Sequence, residues 1–231
     1  MNASTPARRL TSLLLTAPVA LALPACGAGA VHLTPEQLEA ALLTEEEFPL
    51  QASADTMAQD AVTLDADSQL FNDYTAESVD EQCAAALHGV YPDDGVQAPT
   101  AIGDYATGKH RIIVRTMSLP EQAELDLEEG FAAIAEACDG QTLAGADGEG
   151  LTLTALSDDA PAGFHQSVTS SSPLWAELMA ELTALLDTHR VVSQDGNNAV
   201  EVMGIGLSET EARDILEAQE AKLADAVAAA R

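Results

Sequence analysis

Basic residues are scarce in this chain: 9 Lys and Arg stand against 38 Asp and Glu, a formal net charge of −29. A surface of that sign repels nucleic-acid phosphates and anionic lipid head groups, which argues against both as partners. The acid reads instead as a solubility device working through self-repulsion. Aromatic residues make up only 3% of the chain, and its one tryptophan, Trp175, fits core packing better than ligand stacking. Catalytic signatures are missing: there is no G-x-S-x-G, no H-E-x-x-H and no glycine-rich phosphate loop. With the histidines scattered as well, the expectation is a non-enzymatic protein with no catalytic residues, no cofactor and no built metal site.

Long apolar runs are absent too. The longest, near the N-terminus, is interrupted by Pro18 and falls short of the roughly 20 residues a membrane-crossing helix needs. It follows Arg8 and Arg9 and ends in Leu23, Pro24, Ala25 and Cys26, the layout of a secretory signal over residues 1–25. Those last four residues resemble a bacterial lipobox. The resemblance implies a diacylglyceryl group on the Cys26 thiol, cleavage before Cys26, and acylation of the new amine; two chains would anchor the protein stably. Cleavage leaves 206 residues, enough for one ordinary domain, and removes two basic residues, taking the formal charge from −29 to −31. Residues 26–33, with "GAGAVHL" after the cysteine, read as a short tether, and 34–231 as the domain.

Cysteine is the next scarcity. Once Cys26 is assigned to lipid, only Cys83 and Cys138 remain, and an exported chain with two cysteines points to one disulfide. No C-x-x-C and no histidine at ligand spacing speak for a redox or zinc pair.

Thr34, Pro35 and Gln37 spell a capping box that opens a helix, and Ser208 with Glu211 spells another before the last helix. Between them, residues 44–74 hold a strand or two with loops. The spacing of Val79, Cys83, Ala86 and Leu87 predicts a helix within 75–88. "YPDDGVQAPTAIG", 91–103, is expected to be a surface loop, and "KHRIIVRTM", 109–117, a central strand. Pro120 should open a helix carrying Leu127, Phe131, Ile134 and Cys138. A loop is expected over 139–150, then strands at "LTLTALS" and "GFHQSVTS", while the pattern leaves 174–186 open between helix and strand. "HRVVSQDGNNAVEVMGIG" is a hairpin turning at Asp195, Gly196 and Asn197. The sum is an α+β fold, an antiparallel sheet covered by helices in layers.

"LTPEQLEAALLTEEEFP", "EQCAAALHGVY", "FAAIAEACDG" and a final hairpin before a helix, behind a lipobox, resemble actinobacterial lipoproteins related to the extracellular sensor domain of PknH-type serine/threonine kinases. The resemblance covers roughly residues 36–228. It implies a twisted antiparallel sheet flanked by helices in a three-layer, sandwich-like arrangement, a disulfide between the two helices that carry Cys83 and Cys138, and a cleft proposed to take an unidentified ligand. Members often carry a second disulfide, for which this chain has no cysteines.

Three motifs remain. "VEVMGIGLSE" begins like a dinucleotide fingerprint, but Glu209 stands where a third glycine belongs and no βαβ unit can follow, so it reads as a strand-to-helix turn. "DADSQLFND", 65–73, collects aspartates, yet Leu70 and Ala76 occupy the positions an EF-hand loop gives to glycine and glutamate, which excludes that motif and leaves loose attraction for divalent ions or an ordered calcium site of another kind open. Lys109, Arg111 and Arg115 share one parity of their strand and so one face. They are either cross-strand partners of acids such as Glu201, or a ligand or partner contact in the cleft. The reading is therefore a lipid-anchored domain on the extracytoplasmic face of the cell membrane, binding or sensing a small molecule. The alternative is an interaction lipoprotein holding another envelope protein.

Overall fold

The computed structural model describes residues 30–65, 74–92, 94–145, 149–157, 160–170 and 187–231. Nine strands form one fully antiparallel sheet: β1 (Ser53–Leu64), β2 (Tyr74–Thr75), β3 (Val96–Ala106), β4 (Arg111–Ser118), β5 (Thr142–Gly145), β6 (Glu149–Ala155), β7 (Gly163–Ser170), β8 (Thr188–Asp195) and β9 (Asn198–Ile205). Their order is β1-β3-β4-β9-β8-β7-β6-β5-β2. Helices α1 (Pro35–Ala40) and α4 (Glu209–Ala230) cover one face; α2 (Glu81–Gly89) and α3 (Leu127–Ala137) cover the other. This is the layered α+β fold, and the central strands contribute buried residues to a core on each face. On β4, Ile112 and Val114 enter the α1–α4 core, while Met117 enters the α2–α3 core.

Both capping boxes form. Thr34 and Gln37 exchange side-chain and backbone hydrogen bonds at the start of α1, with Pro35 in its first turn, and Ser208 and Glu211 do the same for α4. The folded layer begins before Thr34. Leu33 is buried, its amide donates to Ser118 Oγ at 3.2 Å, and Asn198 Nδ2 donates to the Val31 carbonyl at 2.9 Å, so residues 31–33, expected in a tether, pack onto the sheet. Residues 1–29, Cys26 included, lie outside the described residues, as do 66–73 and 171–186, which hold most of the aspartate-rich stretch and the segment 174–186 with Trp175.

Several expectations over the middle of the chain are corrected. Residues 91–103 are no surface loop: Tyr91 is buried, and β3 runs from Val96 between β1 and β4. Pro99 lacks an amide to donate, and the fold accommodates it where neither neighbour needs one. It faces the register shift of β1 between Gln59 and Val62, and the β4 ladder begins only at Thr100. The loop expected over 139–150 contains β5 and the start of β6. Pro120 precedes only a 3-10 turn, Glu121–Ala123, after which Glu124 takes a left-handed conformation; Asp126 then caps α3, accepting from the Glu129 amide at 2.9 Å. In the same way Asp80 accepts from the Cys83 amide and starts α2 at Glu81, not at Thr75. The glycine pair of "VMGIGL" is the expected turn, with Gly206 at φ 74° and Gly204 closed over by the Leu207 side chain.

Cys83 and Cys138 form the disulfide between α2 and the C-terminal end of α3. Beside it, Gln141 donates from Nε2 to Asp80 Oδ2 at 2.7 Å and to the Ala137 carbonyl at 2.9 Å, and it accepts from the Asp80 amide at 3.0 Å. The end of α3 and the start of α2 therefore meet through covalent and polar contacts together. Closing a loop of 55 residues is worth about 4 kcal/mol in the chain-entropy model. Replacing both cysteines by alanine should lower the unfolding free energy in urea by about 2 to 5 kcal/mol.

On the opposite face, the short α1 leaves carbonyls that its own turns cannot satisfy. Gln219, fully buried in α4, donates to the Ala41 carbonyl at 2.6 Å and accepts from the Leu43 amide at 3.1 Å. Lys222 Nζ donates to the Leu42 carbonyl at 2.6 Å, and Tyr105, stacked on Phe48, donates to the Leu43 carbonyl at 2.6 Å. Gln219→Leu should therefore cost about 3 kcal/mol, because it strands two buried backbone groups while keeping the volume. Chemical denaturation reads this directly, and an unchanged midpoint would show that α4 does not hold α1 in this way.

Candidate functional site

Strand alternation sends Arg115, Glu201 and Arg190 to the α2–α3 face, from β4, β9 and β8. Glu201 sits opposite Arg115 in the ladder and gives one oxygen to each neighbour. Arg115 Nη1 donates to Oε2 at 2.9 Å, while Arg190 donates to Oε1 through Nε, at 3.1 Å, and through Nη2. Glu201 and Arg190 are each 3% exposed, and the Arg190 guanidinium also lies 5.9 Å from the centre of the Phe131 ring. Burial pushes the Glu201 carboxyl up, but Arg190 and then Arg115 more than offset this and hold it below the ordinary carboxylate value.

The three basic residues read from the sequence part company. Lys109 lies in the turn before β4, its amide donating to Thr107 Oγ1 at 3.1 Å. Arg111 is exposed and makes a two-pronged ion pair with Asp104 of β3, with contacts of 2.6 to 3.2 Å. Arg115 alone reaches inward, with 17% of its side chain exposed. Cross-strand pairing with acids thus accounts for the places of Arg111 and Arg115.

Among the described residues, the helical cover next to this cluster is incomplete. On this face α3 packs against β6, β7 and β8, whereas Ile102, Ile113 and Met203 are only half-buried on β3, β4 and β9, and Met57 of β1 is 50% exposed. The register sets Met57 opposite Ile102, Ile102 opposite Arg115, and Ile113 opposite Met203. The result is an apolar floor of two pairs, Met57–Ile102 and Ile113–Met203, that meet diagonally across β3 and β4, with Arg115 opposite Ile102 and Asp104 opposite Ile113. Tyr91, just past α2, is 2% exposed and lies within electrostatic reach of Glu201, Arg190, Arg115 and Asp65. Its hydroxyl and Arg115 Nε are buried without a hydrogen-bond partner among the described residues.

Two of the histidines meet. His165 and His189 pair across β7 and β8 with ring centres 4.6 Å apart, and Asp187 Oδ1 lies 3.8 Å from His165 Nε2. Burial, and then the neighbouring His165, push His189 below its ordinary pKa. Among the described residues no group of three His, Cys, Asp or Glu is placed to hold a metal ion. Two crevices flank the β8–β9 hairpin. One of about 140 Å³ lies against Leu223 and Val227 of α4, and one of about 270 Å³ lies between Ala30, Pro120 and Asn197.

Sequence reading had Glu201 as a partner acid but missed Tyr91 and Arg190. Arg190 had a signal: an arginine directly before two β-branched residues, in a hairpin destined for the sheet centre, must bury its charge and so needs a carboxylate. Tyr91 had none, since Pro92 and Gly95 beside it speak for a turn.

No protein-family model and no curated protein sequence matches this chain. Two solved structures are similar to it. An uncharacterised protein of Mycobacterium smegmatis, an Rv0999 ortholog, shares 16% identity over 73% of this chain and 88% of its own, with a TM-score of 0.43. The extracellular domain of PknH from Mycobacterium tuberculosis shares 14% identity over 85% of this chain and 100% of its own, with a TM-score of 0.45.

The depressed Glu201 pKa fixes a sign. The stability it contributes is present in full above about pH 4.5, the ordinary carboxylate value, and is lost as pH falls through the lower folded value. Glu201→Gln should cost about 3 to 5 kcal/mol at neutral pH, because it leaves two arginines without their shared charge. It should also flatten the acid side of the stability profile. Acid and urea titrations followed by circular dichroism measure both.

Proposed function

We propose that this chain is a lipid-anchored domain on the extracytoplasmic face of the cell membrane, one that binds or senses a small molecule and catalyses nothing. Location is supported by the order of charge, apolar run and small residue before Cys26, together with a disulfide of the kind that persists in oxidising compartments. Among the described residues no helix is long and apolar enough to cross a membrane. The observation that carries the binding half is the apolar floor beside Arg115. It is a sheet surface of Ile102, Ile113 and Met203 with a few charged groups at its margins, the composition that small-molecule sites favour.

Mass spectrometry of the native product should find residues 1–25 removed and a diacylglyceryl group on Cys26; an intact leader with a bare thiol would end the anchored reading. Passing the purified chain through cell-wall extract separates the functional classes. Co-eluting small molecules support the binder, a stoichiometric envelope protein supports the interaction lipoprotein, and turnover of a generic ester or phosphate supports an enzyme. Arg111→Ala should keep the thermal midpoint nearly unchanged, since its ion pair is largely exposed, while reducing retention of the small molecule.

A further inference from the structure

The Arg115–Glu201–Arg190 cluster is rich in donors. Glu201 is shared between two guanidiniums, each of its oxygens already accepting, and among the described residues Asp65 is the other acid that acts on Tyr91. Two donors are then left over, Arg115 Nε–H and the Tyr91 hydroxyl, both buried with no acceptor among the described residues. Leaving such a group unmatched is costly, and more so for a charged donor. Burial and the nearby Glu201 also raise the Tyr91 pKa, so the phenol keeps its proton and remains a donor at neutral pH. What both atoms lack is an oxygen with lone pairs to give.

We infer that Tyr91 Oη and Arg115 Nε bind the head group of an amphipathic acid, a small carboxylate or phosphate ester whose apolar body lies on the floor of Ile102, Ile113 and Met203. This rests on reading the domain as a small-molecule binder and names the chemical class of its ligand. Arg115 joins the two parts: its backbone stands in the ladder opposite Ile102, and its partly exposed side chain leads from the floor to the buried cluster. A guanidinium suits the role because Nη1 can hold Glu201 while Nε turns a different edge to a second oxyanion. The acidic surface sharpens the selection. A net charge of −29 repels any anion at long range, so an acid that binds does so through local donors, and added salt should strengthen binding by screening that repulsion.

The test is isothermal titration calorimetry of the full chain with octanoate, octyl phosphate, octanol and octyltrimethylammonium, in low and moderate salt. Octanoate or octyl phosphate should bind at least tenfold more tightly than octanol and the cation, with affinity rising as salt is added; whichever of the two acids binds more tightly identifies the head group. Tyr91→Phe removes one unmatched donor and should leave the thermal midpoint unchanged or raised while weakening the acid about tenfold. Arg115→Lys keeps a positive charge for Glu201 but has no Nε–H, and should weaken the acid similarly, which serves if Tyr91→Phe fails to fold. Equal binding of octanol and octanoate, no binding of either acid, or full acid affinity in a folded Tyr91→Phe or Arg115→Lys variant would overturn the inference. A small molecule recovered from extract that carries no acidic group would overturn it too, while leaving the binding role standing.

Discussion

One carboxylate spans three strands. Glu201 on β9 takes Arg115 from β4 and Arg190 from β8, so the middle of a nine-stranded sheet is fixed by a charge cluster as well as by its backbone ladders. Such a cluster is a poor source of net stability, because three charges must leave water before they can attract one another. Its strength is in specificity. A one-residue slip of β9 would send Glu201 into the α1–α4 core, towards Val114 and Val191 and away from Arg115 and Arg190. Since β4, β8 and β9 each bury apolar residues on both faces, apolar alternation alone distinguishes the two faces weakly. The charges break that ambiguity.

The two helical layers then attach by different means. On the α2–α3 face the disulfide, the Asp80–Gln141 clasp and Phe131 over Arg190 lock two helices to each other and to the sheet. On the other face no disulfide holds α1; Gln219, Lys222 and Tyr105 donate to three successive carbonyls just past its end. The first arrangement survives local opening because the chain is closed on itself. The second depends on α4 being fully formed, and so ties the N-terminal end of the fold to its C-terminal helix.

How much of this could be read in the sequence follows from where the signals lie. Helix starts were readable at Thr34 and Ser208 because a capping box is a local, four-residue device. The hairpin at Gly196 was readable for the same reason, and the disulfide because reading Cys26 as a lipid site left two cysteines to pair. What misled was proline. Pro99 and Pro120 promise a loop and a helix start by local rule, yet one sits opposite a bulge on β1 and the other is followed by a left-handed Glu124 that delays the helix to Leu127. Both outcomes depend on a partner strand or a later cap that no window around the proline contains. The candidate site suffered in the same way. Its parity on β4 was readable, but Tyr91, Arg190 and the floor come from separate elements that only the sheet order brings together.

That order also decides where a ligand could gain from this fold. The long-range field of so acidic a chain disfavours anions everywhere on its surface, and exposed pairs such as Arg111–Asp104 are too well screened by water to reverse it. Only where burial removes water does a guanidinium act at its full strength, and among the described residues the cluster around Glu201 brings two of them to that condition next to an apolar surface still open on one side. The residues that keep the strands in register are thus the ones whose remaining donors a ligand could use. Selection for register and selection for binding would then act on the same arginine, Arg115, and the fold could lose neither without disturbing the other.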